Sequence, residues 1–117
     1  GYGAVVVDLD GDGSERTGWN LLYMHIATEG RVPLGTTLET GDLIGYASCE
    51  GGYSSGTHFH IARLYDGLWV PASDLVPFVL GGWIASSTGN VYDGYLEKDG
   101  RTIEAFNGRA DLNTLTP

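Results

Sequence analysis

Nineteen of the 117 residues are glycine, about one in six, and they are scattered along the whole chain. Each glycine inside a helix costs about 1 kcal/mol relative to alanine, so helix signals are weak almost everywhere. Short β-branched and aromatic runs alternate instead with turn clusters, the pattern of an all-β chain. Ala4-Val5-Val6-Val7 reads as a strand, followed by the turn Asp8-Leu9-Asp10-Gly11-Asp12-Gly13. Trp19 to Ala27 reads as a second strand, with Leu21, Tyr23 and His25 on one face and Leu22, Met24 and Ile26 on the other. The two are expected to form an antiparallel hairpin.

Glu29 to Gly45 reads as short strands and tight turns, punctuated by Gly30, Gly35, Gly41 and Gly45. Thr57 to Leu64 reads as a further strand, turning at Asp66-Gly67 into Leu68-Trp69-Val70, because Asp-Gly suits turns with positive φ. Pro71 to Pro77 is a connector. Beyond it, Phe78 to Ile84, Val91 to Leu96 and Thr102 to Phe106 form a small β appendage of two or three strands, with Asp99-Gly100 as its clearest turn. The expected division is 1–77 as the main β domain and 78–117 as the appendage.

Charge narrows the function. Fifteen acids against six bases give a net charge of −9, and Lys98 is the one lysine. Phosphate binding needs clustered Lys and Arg, so nucleic acid is excluded as a partner, and so is a polybasic membrane anchor. The longest aliphatic run, Ala4 to Val7, is far short of a membrane-spanning helix. The chain opens at Gly1-Tyr2-Gly3 with no methionine, which points to a processed chain or a fragment. Cys49 is the single cysteine, read as a small buried or half-buried residue. The alternative is a disulfide to a cysteine outside the chain.

The chemistry concentrates in three histidines: His25, His58 and His60. In Thr57-His58-Phe59-His60-Ile61 a strand would point both imidazoles to one face, with Cβ atoms roughly 6–7 Å apart. Thr57, Phe59 and Ile61 would then face a core. Two rings so placed can converge on one ion or one reacting group. Gly51-Gly52 and Gly56 flank the motif, as expected where backbone must stay clear of a cleft.

Tyr23-Met24-His25, Gly41-Asp42-Leu43-Ile44-Gly45 and Ser55-Gly56-Thr57-His58-Phe59-His60-Ile61, taken in order, resemble the motifs of the lysostaphin-type zinc metallopeptidases. The Cys-x-Gly-Gly stretch before the histidine pair is most similar to the staphylolysin branch. The resemblance covers about residues 1–72. It implies an antiparallel sheet core of the lysostaphin-peptidase type and zinc as cofactor, with His60 as a zinc ligand and His25 and His58 as catalytic histidines. It also implies a secreted or cell-envelope endopeptidase cutting peptidoglycan cross-bridges or other glycine-rich peptides. The resemblance supports the disulfide alternative for Cys49 as well.

One departure from the family is large. Its other two zinc ligands, a histidine and then an aspartate, precede Tyr-x-His, and no histidine precedes His25 here. A catalytic zinc usually takes three protein ligands, and one is carried over. The expectation is therefore an incomplete peptidase domain, weak in zinc binding and inactive alone. The alternative is a non-catalytic module of the same fold, binding cell-wall peptide or a partner protein.

Three further patterns carry rival readings. Asp8-x-Asp10-x-Asp12-Gly13 begins like a calcium loop, but Trp19 stands where the bidentate glutamate belongs, so a solvated hairpin turn is expected. Gly35 to Gly45 has the look of a biotinyl or lipoyl carrier hairpin but holds no lysine. Trp69, Trp83 and Tyr92 are expected in core or hairpin packing rather than in a substrate groove.

Overall fold

A computed structural model describes residues 2–105 and Leu115. The protein is all-β: the described residues contain eight strands and no helix. They form two compact units, Gly1–Val70 and Pro71–Pro117.

In the first unit β1 (Ala4–Asp8), β2 (Trp19–Met24), β3 (His60–Tyr65) and β4 (Leu68–Trp69) form one antiparallel sheet in the order β1-β2-β3-β4. The β1–β2 hairpin forms as expected, with Ala4 opposite Met24 and Asp8 opposite Asn20. Its turn is held by the Asp8 carboxylate, which accepts from the amides of Gly13 (2.7 Å), Gly11 (3.0 Å) and Asp10 (3.2 Å). Asp66 and Gly67 both have positive φ, 49° and 76°, as a two-residue hairpin turn between β3 and β4 requires.

Register assigns the faces. Met24 lies opposite His60 and Leu22 opposite Ala62, so these share one face. Tyr23, Ile61, Leu21 and Arg63 share the other, where the Arg63 guanidinium lies 5.4 Å from the Trp19 ring centre. Few side chains are fully buried: Ile26 and Asn20 are the largest in the described part of this unit, and His25 and Arg63 are nearly so.

Four sequence expectations fail here. The second strand stops at Met24 rather than Ala27, because His25 has φ 64° and breaks the alternation. The third strand begins at His60, and His58 makes only an isolated bridge to Ser48. Phe59 is 56% exposed and Thr57 is also exposed, so of the three residues expected in a core only Ile61 is even half-buried. No strand forms in Glu29 to Gly45, which is turns and irregular chain tied by Val32 N–H to the Ile44 carbonyl (3.0 Å).

The second unit is a separate antiparallel sheet of β5 (Val79–Leu80), β6 (Trp83–Ser87), β7 (Gly94–Lys98) and β8 (Arg101–Glu104), in that order. It has four strands where two or three were expected, because the first expected segment is itself a hairpin turning at Gly81-Gly82. Trp83 is its buried centre, with the Arg101 guanidinium 5.5 Å from its ring centre. Asp99 and Gly100 form the expected turn, with φ 49° and 75°. Phe106, the expected end of the last strand, lies outside the described residues.

Candidate active site

The histidines meet where β2 ends and the chain returns toward β3. A residue with a Cβ in the left-handed region costs about 1–2 kcal/mol, so His25 holds its φ of 64° only because its neighbours fix it there. One of them, Ser48, holds its backbone twice: its amide (2.7 Å) and its hydroxyl (3.1 Å) both donate to the His25 carbonyl. His25 is 5% exposed, and its Nδ1 lies 2.8 Å from the Glu50 carbonyl oxygen. A carbonyl only accepts, so Nδ1 carries the proton and the neutral ring keeps its lone pair on Nε2.

His58 repeats the arrangement from the other side. Its Nδ1 lies 2.8 Å from the Gly56 carbonyl and 3.2 Å from the Ser54 hydroxyl oxygen. The Ser54 hydroxyl itself donates to the Gly56 carbonyl (2.6 Å). The neutral ring again presents Nε2 as its basic nitrogen. The two imidazoles are in contact, with ring centres 4.4 Å apart and planes inclined by 40°. His25 is buried and His58 exposed, so the pair has one sheltered member and one open to solvent.

Around His25 the Glu50 loop is clamped. Thr28 donates to the Glu50 carboxylate through its amide (3.0 Å to each oxygen) and its hydroxyl (2.6 Å), and Arg31 lies 3.5 Å away. These donors, the Thr28 hydroxyl first, hold the Glu50 carboxyl below the usual carboxylate range. Arg31 also donates to the Ile26 and Ala27 carbonyls. On the other side Gly3 is buried against the loop: a Cβ there would lie 2.7 Å from the Glu50 carbonyl carbon and oxygen.

His60 is exposed at the start of β3, opposite Met24, the residue before His25. Among the described residues, no group of three His, Cys, Asp or Glu ligand atoms within 4.8 Å of one another contains a histidine. The described residues therefore do not fit a three-ligand zinc site at His60.

The group that does gather is Asp8, Asp10 and Asp12. Asp8 faces Asn20 and His60 faces Met24, four residues further along β2, which puts the acids about 13 Å from His60 along the sheet. They cannot complete its ligand set. Amide donors, that of Gly13 first, lower the Asp8 carboxyl, whereas the adjoining Asp8 carboxylate raises Asp10.

Cys49 is an exposed free thiol rather than a buried or half-buried residue. Trp69 is 63% exposed and Tyr92 is 97% exposed, so of the three aromatics only Trp83 packs as expected. Tyr92 lines a cavity of about 550 Å³ in the second unit, together with Tyr95, Leu96, Ile103 and Leu115.

Strand spacing paired His58 with His60, and the resemblance grouped His58 with His25; the structure puts the His58 ring against that of His25. Glu50, Thr28, Arg31, Ser48 and Gly3 were missed. They lie up to 47 residues apart in the chain, and no local spacing marks them.

No family model matches the chain, and no curated protein or solved structure matches it.

Proposed function

We propose that the first unit is a lysostaphin-type peptidase domain acting on peptidoglycan cross-bridges or other glycine-rich peptides, in a secreted or cell-envelope setting. His25 and His58 are its proton-handling groups. The observation that carries this reading is the His25–His58 contact, with both Nδ1 atoms committed to backbone carbonyls. Two imidazoles in contact, each with Nε2 as its basic nitrogen, can take a proton from an attacking water and return it to a leaving amine, the work that general acid–base catalysis of peptide cleavage requires. His58, exposed, meets the substrate; His25, buried, stabilises the charge that develops on its neighbour.

Zinc in this family supplies a polarised carbonyl and an activated water. By the resemblance His60 is the residue that would contribute to holding it, and among the described residues no second and third ligand gather with it.

A second reading is favoured by that same mismatch: a module that binds glycine-rich peptide or a partner protein without cleaving it. The exposed Tyr53 and Phe59 beside the histidines offer it apolar contact surface.

Calorimetric titration with a pentaglycine peptide, followed by mass spectrometry of the mixture with and without zinc, tests both readings. Saturable binding that is lost in His58→Ala and His25→Ala is the expected result. Cleavage products select the peptidase, and binding without products even at a zinc concentration high enough to saturate a weak site selects the module. Absence of binding overturns both.

A further inference from the structure

We infer that Glu50 is the positioning residue for His25, acting through its carboxylate on the placement of its own carbonyl. The inference rests on the reading of His25 as a working imidazole and adds the device that sets its tautomer.

The contacts close a ring. From the His25 backbone the chain runs through Ile26 and Ala27 to Thr28, whose amide and hydroxyl both donate to the Glu50 carboxylate. The Glu50 main chain returns to the His25 ring through the carbonyl that accepts from Nδ1. Its amide donates to the Ser48 hydroxyl (3.0 Å), and that hydroxyl donates to the His25 carbonyl. Arg31 straps the ring from outside, donating to the Ile26 carbonyl (3.0 Å) and the Thr28 hydroxyl (3.1 Å) and pairing with Glu50.

One glutamate thus touches His25 by main chain and Thr28, three residues further on, by side chain. A side chain with an acceptor oxygen at this reach takes both Thr28 donors, as Oε2 does here, while its carbonyl faces the ring. The consequence is specific. With the carbonyl fixed, His25 keeps its proton on Nδ1 and its lone pair on Nε2, in a ring too buried for water to set the tautomer instead.

The test is long-range proton–nitrogen NMR on the full 117-residue chain at pH 8, where neutral imidazole dominates. Wild type is expected to show His25 as a single Nδ1–H tautomer. Glu50→Ala is expected to convert His25 to a tautomer mixture and leave His58 unchanged. Glu50→Gln, which keeps an acceptor for Thr28, is expected to restore the wild-type pattern. Should Glu50→Ala fail to fold, Thr28→Val decides, since it removes one donor and is expected to shift the same resonance by less.

A folded Glu50→Ala, or Thr28→Val in its place, that keeps wild-type His25 tautomerism overturns the positioning role. The readout needs no substrate, so its failure is distinct from that of the peptide reading. A tautomer shift in a chain that binds no peptide would keep the device and discard the function.

Discussion

Gly3→Ala tests how the site is braced. Gly3 is buried with φ 70°, and a Cβ there would lie 2.7 Å from the Glu50 carbonyl carbon, the Glu50 carbonyl oxygen and the Gly51 nitrogen. All three atoms are backbone, so no side-chain rotation relieves the contact, and the Glu50 loop must move by about 0.7 Å to reach ordinary van der Waals separation. The His25 Nδ1 to Glu50 carbonyl distance of 2.8 Å would then open to the limit of a hydrogen bond. Left-handed alanine costs about 1–2 kcal/mol, and a buried donor without its partner costs about 1–3 kcal/mol. The expected destabilisation is their sum, about 2–5 kcal/mol, a large part of a small domain's total stability.

Gly11→Ala separates the two contributions. Gly11 has nearly the same φ, 73°, and nothing lies within 4 Å of the position its Cβ would take. It should lose only the conformational part, about 1–2 kcal/mol. Urea unfolding followed by Trp fluorescence gives both values, and ring NMR reports the His25 tautomer alongside. Equal losses in the two variants, with His25 unchanged in Gly3→Ala, would refute the claim that Gly3 holds the Glu50 carbonyl in place.

The Glu50 carboxyl is held low in the folded state, so its contribution is full above the unfolded glutamate pKa of about 4.3 and fades as pH falls through the lower folded value. The stability difference between wild type and Glu50→Ala should therefore be constant from pH 7 to about 5 and shrink on further acidification, measured by unfolding midpoints. A zinc titration of the 117-residue chain should show no stoichiometric nanomolar binding, and one-to-one nanomolar binding would show that His60 has companions. Phe59→Ser should change unfolding stability by no more than about 0.5 kcal/mol, as at an exposed site, instead of the roughly 3–5 kcal/mol of a core phenylalanine.

What the sequence revealed was local. The β1–β2 hairpin follows from Ala4-Val5-Val6-Val7 and the acidic turn, and both Asp-Gly turns follow from the positive φ that hairpins need. The all-β character follows from glycine density. The end of β2 did not, because the apolar alternation runs on through Ile26 while the left-handed His25 is imposed by Ser48 and Glu50 from far along the chain. For the same reason His-x-His read as one continuous strand, when His58 is in fact held by Ser54 and Gly56 outside β3. Period-two reasoning assigns faces only where the strand continues, and here it stops between the two histidines.

The most direct test of the account is where a glycine-rich peptide binds. Nitrogen-labelled protein titrated with pentaglycine should show saturable shifts of the His58 and His25 ring nitrogens and of the Gly51 and Gly52 amides, while the second-unit residues Tyr92 and Tyr95 stay unmoved. Shifts confined to the cavity beside Tyr92, or a silent histidine pair at saturating peptide, would contradict it.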